Sequence, residues 1–169
     1  MKRIILNGKK GDGKFAIIDD KYLKLVSKYS WHLKSNGYAS AYFGGGRKNT
    51  KRIYLHHLIT GKIKGKYTDH INNNKLDNRI NNLRIATYSE NSINSKKRKN
   101  GTSAYKGVSW NNKRKEWASQ LTLKYKNYFL GWFKKEIHAA MAYDLWAREL
   151  HGEFAKLNFP NAIYSKRDC

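Results

Sequence analysis

The alternation of hydrophobic and polar positions changes its period several times along the chain, which predicts an α+β fold. Near the N-terminus, Lys14–Ile18 has the composition of a strand. Apolar side chains between Tyr22 and Tyr29 then recur at helical spacing, and Asp19 or Asp20 is the expected N-cap of this short helix. Residues 1–55 are therefore expected to form a β-rich segment of antiparallel strands with one short helix.

Two aromatic-rich runs follow, and Asn36-Gly37 between them predicts the tight turn of a β-hairpin. A third run, "RIYL", comes after the three glycines Gly44–Gly46. These glycines lack the Gly-Lys-Ser/Thr ending of a phosphate-binding loop, so a flexible hairpin loop is the preferred interpretation.

The stretch "TDHINNNKLDNRINNLRIATYSEN" predicts a strand, a loop, a second strand and a helix. Asp69-His70 ends the first strand, and the run "LRIAT" forms the second. Thr87 and Glu90 make a capping box that opens the helix, and Asn91 lies within its first turn and a half. The asparagines of the loop accept turn geometries and bond nearby backbone, which suits a compact loop without a core.

The last third of the chain has a β-β-β-α pattern. The predicted strands are Lys106–Trp110, Trp117–Lys124 and Asn127–Phe133, with the second turn at Tyr125-Lys126. An alanine-rich helix ending near Gly152 follows and covers one face of this three-stranded sheet. The opposite face carries polar residues and stays exposed.

The charge is strongly unbalanced and indicates a polyanionic partner. The chain has 169 residues, with 35 Lys and Arg against 12 Asp and Glu, for a formal net charge of +23. Nucleic acid is the first candidate because neutralising phosphates releases condensed counterions. The basic run Lys96–Lys99, within a predicted linker over residues 96–103, is either a solvated tail or a phosphate contact.

Other compositional features bear on the expected compartment. No apolar run is long enough for a membrane span, and the first residues do not resemble a signal peptide, so an intracellular protein without membrane contact is expected. The one cysteine, Cys169, excludes disulfides within the chain and zinc sites built from paired cysteines.

Residues 104–160 resemble the Apetala-two domain of plant ethylene-response factors, through "YKGVSW", "NYFLGWF" and "EIHAAMAYDLWARELHGEFAKLNFP". In that family the sheet enters the major groove of DNA. The resemblance implies that six side chains face DNA: Lys106, Ser109, Gln120, Thr122, Asn127 and Phe129. Several of these positions are arginine in the plant domains, whereas only Lys106 is basic here. Phosphate contacts are expected from the basic residues of the two turns, Lys113, Arg114, Lys115 and Lys124.

Residues 56–95 resemble the HNH nuclease motif, the β-β-α-metal or His-Me finger fold, in the variant of phage and intron-encoded homing endonucleases. His70 is followed by Asn82 after twelve residues and by Asn91 after nine more, with Asp69 beside the first. The resemblance implies His70 as general base, Asn82 as the residue that ties the loop and orients the His ring, and Asp69 and Asn91 as metal ligands. Both domains are found joined in proteins of phage and mobile elements. The resemblance therefore implies activity in the cytoplasm of a host cell.

The chemistry of phosphodiester hydrolysis fits these residue types. A water must lose a proton near neutral pH, for which histidine is suited, and a hard cation must neutralise phosphate charge. Oxygen ligands from Asp69 and Asn91 favour one Mg²⁺ or Mn²⁺ over zinc. The expected activity is cleavage of double-stranded DNA to 5′-phosphate and 3′-hydroxyl ends.

Several alternatives stay open at the level of sequence. His56 or His57 is either a packed residue or a phosphate contact, and Arg79 and Arg84 either grip phosphate or are solvated. A monomer with one motif suggests nicking, whereas a homodimer allows both strands to be cut. The alternative function is a non-catalytic DNA-binding regulator with a nuclease-like fold, against which the presence of Asp69, His70 and Asn91 argues.

Overall fold

The computed structural model describes residues 1–44, 50–97, 100–163 and 165, which form a mixed α+β structure as the sequence predicts. Their contacts divide the chain into two compact units, Met1–Thr87 and Tyr88–Cys169. The helix that follows the asparagine-rich region belongs to the second unit. The domain boundaries expected from the sequence stay predictions.

The first unit contains three small antiparallel sheets and two short helices. β1 (Lys2–Ile5) pairs with β2 (Phe15–Ile18), and the chain continues through α1 (Leu23–Val26). The second sheet has the order β3 (His32–Leu33), β4 (Ala39–Phe43), β5 (Lys51–Tyr54), and α2 (Leu55–Thr60) follows it. The third sheet pairs β6 (Tyr67–His70) with β7 (Leu83–Ala86).

Apolar residues from these elements form one core in the first unit. Trp31 is 1% exposed, and its indole Nε1 donates to the carbonyl of Val26 at 2.9 Å, so the large ring is buried without leaving its polar atom unsatisfied. The other buried members of the core come from the strands, from the loop after β1 and from both helices: Leu6, Ala16, Ile18, Val26, Ala39, Ala41 and Leu55. This core fixes β2 and α2, which border the candidate site.

The second unit begins with α3 (Tyr88–Ile93) and continues into a three-stranded antiparallel sheet. Its strands are β8 (Val108–Asn111), β9 (Glu116–Leu123) and β10 (Lys126–Phe133), in the order β10-β9-β8. α4 (Glu136–His151) packs on one face of this sheet. Ala139, Ala140 and Ala147 are fully buried, and their small side chains let helix and sheet approach closely.

Several local predictions are confirmed and others need correction. Gly37 has φ +85 in the predicted hairpin turn. The helix expected over Tyr22–Tyr29 is shorter, because a 3-10 turn at Asp20–Tyr22 precedes α1 and the helix ends at Val26. β1 was not expected as a strand. Of the predicted glycine loop Gly44–Gly46 and basic run Lys96–Lys99, the residues 45–46 and 98–99 lie outside the described part of the chain.

The three-stranded sheet of the second unit differs from the prediction at the β9–β10 turn and at the start of β8. The β9–β10 turn lies at Lys124-Tyr125, one residue earlier than expected, with φ values of +47 and +66 at these two residues. Leu123 pairs with Lys126, so a two-residue turn closes the hairpin although neither turn residue is Gly or Asn. β8 begins at Val108, not Lys106, because Gly107 has φ +77.

Across the described ranges, none of the helices combines the length and apolar character that a membrane crossing requires.

Gly107 and Gly152 provide a matched test of packing in the second unit. A Cβ on Gly107 would lie 2.0 Å from the ring of Tyr143, whereas a Cβ on Gly152, which also has positive φ, meets nothing within 4 Å. We expect Gly152→Ala to lower the free energy of unfolding by about 1–3 kcal/mol from backbone strain alone, because φ 52 and ψ −131 are a conformation that suits glycine and not alanine. Gly107→Ala should cost about 1–3 kcal/mol more because of overpacking. Urea unfolding of both variants measures the difference, and equal losses would contradict this packing.

Candidate functional site

Asp69 and His70 lie at the end of β6, both buried, at 6% and 4% exposure. Antiparallel pairing places Asp69 opposite Arg84 of β7, and both Nε and Nη2 of Arg84 donate to Asp69 Oδ2, at 2.9 and 2.8 Å. The buried carboxylate therefore has a charged partner. Arg84 is not the solvated residue of one sequence alternative, since its side chain is 11% exposed and pairs with Asp69, whereas its contact with phosphate stays a prediction.

Asn82 closes the loop between β6 and β7. Its Oδ1 accepts from the backbone N–H of Asn72 at 3.0 Å, and its Nδ2 donates to Asn72 Oδ1 at 3.0 Å and to the carbonyl of Asp77 at 2.7 Å. The backbone carbonyl of Asn82 accepts from Ile71, the residue after His70. One amide side chain thus holds three groups of the loop beside His70.

Asp77 organises the same loop and was not singled out from the sequence. It is 2% exposed, and it accepts two hydrogen bonds from the Arg79 guanidinium, at 2.8 and 2.6 Å, and one from Asn72 Nδ2 at 2.8 Å. The hydrogen bonds from Arg79 hold the pKa of the Asp77 carboxyl below its usual value. Arg79, for which the sequence left phosphate contact and solvation open, bonds Asp77 while its side chain is 43% exposed, so its contact with phosphate stays a prediction.

The loop is also attached to β2 and the segment after it. Ile17 N–H donates to the carbonyl of Leu76, and Asn78 N–H donates to the carbonyl of Ile17, both at 2.7 Å. Asp19, one of the two expected N-caps, is the N-cap residue of the turn Asp20–Tyr22, but its carboxylate makes no cap bond and accepts instead from Ile80 N–H at 2.8 Å. The N-terminal hairpin, for which the sequence indicated no role, is a support of this loop.

Aromatic rings surround His70 on the side of α2. The His56 ring lies 5.3 Å from that of His70, at 89°, and it stacks on Tyr54 at 5.5 Å. Tyr38 contacts both histidines, with ring centroids at 4.9 Å from His56 and 5.7 Å from His70. His57 contacts His56 at 4.3 Å from the other side. The sequence left His56 and His57 open between packing and phosphate contact, and this ring cluster favours packing for the buried His56.

Burial makes these imidazoles less basic. It lowers the pKa of His56 to about 3, with smaller contributions from His57 and His70. Burial also lowers the pKa of His70, although a hydrogen bond to Asn78 and the charge of Asp69 act in the opposite direction. His70 is therefore neutral at pH 7 and has a lone pair available to take a proton.

The exposed face of the sheet formed by β8, β9 and β10 carries most of the side chains predicted to face DNA. Gln120 lies opposite Phe129 and Thr122 opposite Asn127 in the β9–β10 register, and all four are exposed. Thr122 Oγ1 donates to Asn127 Oδ1 at 2.6 Å. Ser109 pairs with Ala118, which lies on the same face of β9 as Gln120.

The basic residues of this unit fall into two groups. Lys113, Arg114 and Lys115 form the exposed β8–β9 turn, where the Arg114 guanidinium lies 4.9 Å over the ring of Trp132, and Lys124 lies in the β9–β10 turn. Lys106 is different, since its ammonium donates to the carbonyls of Ile93 and Ser95. Its expected contact with DNA stays a prediction.

The metal ligands inferred from the sequence are placed in different units. Asp69 is in the first unit, and Asn91, half-buried in α3, is in the second. Among the described residues, no group of three or more His, Cys, Asp and Glu side chains is arranged to hold a metal ion.

Comparison with known proteins identifies the family. The family model for HNH endonucleases matches residues 54–93. An uncharacterized HNH endonuclease of Acanthamoeba polyphaga mimivirus is 37% identical over 150 residues, which cover 88% of this chain and 77% of the relative. Protein 3.8 of Escherichia phage T7 is 38% identical over 108 residues, 63% of this chain and 88% of that protein. No solved structure matches. The chain belongs to the HNH endonuclease family and is an HNH endonuclease.

His56 should make the stability of the first unit pH-dependent. Its pKa is about 3 in the folded chain and 6.5 when unperturbed, so the unfolded state binds more protons between these values and stability falls as the pH drops below about 6.5. We expect this residue alone to remove about 2 kcal/mol of unfolding free energy between pH 7 and pH 5. His56→Gln should flatten the dependence in urea unfolding at several pH values, whereas the control His138→Gln should not. Parallel curves for wild type and His56→Gln would contradict the buried, neutral His56.

Proposed function

We propose that this endonuclease hydrolyses phosphodiester bonds of double-stranded DNA, with His70 as the general base, and leaves 5′-phosphate and 3′-hydroxyl ends. The observation that carries the proposal is the state of His70: a neutral imidazole, buried among rings, at the end of a strand whose loop is closed by Asn82. Such an imidazole accepts a proton from water at neutral pH, which is the step that phosphodiester hydrolysis needs.

Asn82 fits the role of positioning the loop next to the base. Its amide uses both its donor and its acceptor capacity on backbone and side-chain groups of residues 72 and 77. A side chain that lacks either function would leave part of this set unsatisfied. We infer that Asn82 acts by holding the residues after His70 and not by touching substrate.

A single divalent cation, Mg²⁺ or Mn²⁺, fits the donor set that we assign to it. Asp69 offers a carboxylate and Asn91 an amide oxygen, and Mg²⁺ in nuclease-type sites takes one or two protein oxygens and completes its shell with water and substrate phosphate. When bound, such an ion neutralises charge on the scissile phosphate and on the leaving 3′ oxygen. The spacing of His70, Asn82 and Asn91 along the sequence supports this assignment, and with it the β-β-α-metal arrangement.

Residues 104–160, within the second unit, are the proposed DNA-binding part of the enzyme, of Apetala-two type. Three observations support it: the β-β-β-α order, the polar face of β9 and β10, and the basic β8–β9 turn. The side chains on the sheet are short and mostly uncharged, so we expect them to contact base edges, while the turn residues contact phosphate.

We infer the cellular setting from the relatives. Similarity to proteins of a phage and a giant virus supports a role on DNA inside an infected host cell, as in mobile nuclease genes. One nuclease motif per chain supports nicking by a monomer and cleavage of both strands by a homodimer, and product analysis distinguishes the two.

The first test concerns His70. Purified enzyme should convert supercoiled plasmid to open-circular or linear DNA in Mg²⁺ or Mn²⁺ and not in EDTA. His70→Ala should reduce the rate roughly 10²-fold or more while duplex binding in EDTA stays near wild type, because a general base contributes about that much. Wild-type cleavage by this variant would exclude His70 as the base.

The pH profile tests the same residue without a mutation. Protonation removes the base, and burial lowers the pKa of His70 below 6.5, so the acidic limb of kcat/KM should have its midpoint below pH 6.5. Single-turnover rates from pH 4.5 to 8 measure it. A midpoint above 6.5 would point to a different group.

The basic turn tests the role of the second unit. Replacing Lys113 and Arg114 by Gln and Lys115 by Asn, which tolerates its φ of +57, removes three exposed charges. The slope of log affinity against log salt should become shallower by about 0.9 for each lost phosphate contact. A control with Lys134 and Lys135 changed to Gln removes charge from the same unit outside the turn. Equal slopes for the turn variant and wild type would exclude phosphate contacts there.

A further inference from the structure

The C-terminal end of α3 is held by one side chain. Lys106 lies between the segment after α3 and β8, and its ammonium donates to the carbonyl of Ile93, the last residue of the helix, and to that of Ser95. The chain between them continues the turn, since Asn94 N–H donates to the carbonyl of Glu90 and Ser95 N–H to that of Ser92. The last carbonyls of a helix lack intrahelical donors, and here a lysine supplies them.

α3 depends on such contacts because it cannot stabilise itself. It has six residues, far fewer than an isolated helix needs in water, and none of them is buried. Ile93 and Lys106 both line a cavity of about 700 Å³ beside the sheet, so close apolar packing does not replace the hydrogen bonds there. Holding α3 in one place therefore falls to polar contacts.

Lys106 is itself rigidly placed. Its backbone N–H donates to Asn158 Oδ1 at 2.8 Å, and its carbonyl accepts from Asn158 Nδ2 at 3.1 Å. The N–H and Nδ2 of Asn158 donate to Oδ1 of Asp144, a fully buried residue of α4. A continuous set of hydrogen bonds thus runs from the interior of α4 through Asn158 and Lys106 to the end of α3.

The Lys106 ammonium loses part of its solvation in this position. Burial, with a smaller contribution from Lys156, lowers the pKa of Lys106 to about 8. A surface lysine that only contacted phosphate would avoid this loss of solvation. The two carbonyls offset this loss of solvation because both accept hydrogen bonds from the ammonium, and that of Ile93 is at the negative end of the helix.

We propose that Lys106 is a positioning residue of the nuclease, which fixes α3 and thereby the amide of Asn91 for metal binding. The proposal rests on the proposed function, in which Asn91 is a metal ligand. Asn91 lies two residues before Ile93, so fraying of the last turn displaces its side chain directly.

The test uses the full-length enzyme and three variants of lysine. Lys106→Met keeps the aliphatic stem and removes the donors, Lys106→Arg keeps a cation with donors, and Lys135→Met is the control for loss of one exposed charge in the same unit. Three quantities are measured for each: the Mg²⁺ concentration for half-maximal plasmid cleavage, duplex affinity in EDTA, and hydrogen exchange at the amides of Asn94 and Ser95.

Lys106→Met should raise the Mg²⁺ requirement about 10- to 100-fold, the range seen when supports of metal ligands are removed. Its duplex affinity should stay within about twofold of wild type, and exchange at Asn94 and Ser95 should become faster while the strands keep their protection. Lys106→Arg should need a Mg²⁺ concentration close to that of wild type. Lys135→Met should behave as wild type.

Two results would overturn the proposal. In one, Lys106→Met weakens duplex binding and leaves the Mg²⁺ requirement unchanged, which makes Lys106 a DNA contact. In the other, exchange at α3 becomes faster but cleavage keeps its Mg²⁺ dependence, which limits Lys106 to holding the helix. Asn91→Ala, measured in parallel, distinguishes failure of this proposal from failure of the proposed function. If that variant keeps the Mg²⁺ requirement of wild type, Asn91 is not a metal ligand and the proposed metal site is wrong.

Discussion

The buried carboxylate of Asp77 is the group on which the loop beside His70 depends. The loop between β6 and β7 buries little apolar surface beyond Leu76, which packs against the core of the first unit, so hydrogen bonds set most of its shape. Asp77 accepts from Arg79 and Asn72, and its own carbonyl accepts from Asn82. A buried charge that loses one of its partners costs several kcal/mol, so these contacts stabilise the shape of the loop strongly.

The abundance of asparagine in the loop follows from the same constraint. Asn72 Oδ1 accepts from the N–H of Asn74, and Asn74 Oδ1 accepts from the N–H of Leu76, so each side chain replaces a backbone partner two residues on. Asn73 has φ +59, a region that asparagine tolerates better than most residues. Short amide side chains thus satisfy the backbone N–H groups of a tightly turning segment that forms neither a helix nor a sheet.

The sequence predicted those features whose cause is local. The strand, loop, strand and helix order, the Asn36-Gly37 hairpin and the face shared by Gln120 and Thr122 all follow from turn chemistry and periodicity over a few residues. The features that the sequence did not predict depend on contacts between residues that are far apart in the sequence. Nothing near Asp19 indicates that its carboxylate binds Ile80 N–H, and nothing near Arg84 indicates an ion pair across two strands with Asp69. The ring cluster of His56, Tyr38 and His70 has the same origin, since β4, α2 and β6 must first be assembled.

These long-range contacts divide the support of the nuclease motif between two parts of the chain. The residues after His70 are fixed by β2 and Asp19, which precede the motif, and Asn91 lies on a helix whose end is bonded to Lys106, which follows it. The family match, over residues 54–93, includes neither support. Spacing along the sequence is enough to recognise the motif because the chemistry demands those residue types. The flanking segments add the hydrogen bonds that hold the loop and the end of α3, and these act together with the motif's own buried apolar residues, Leu55, Leu83 and Ala86.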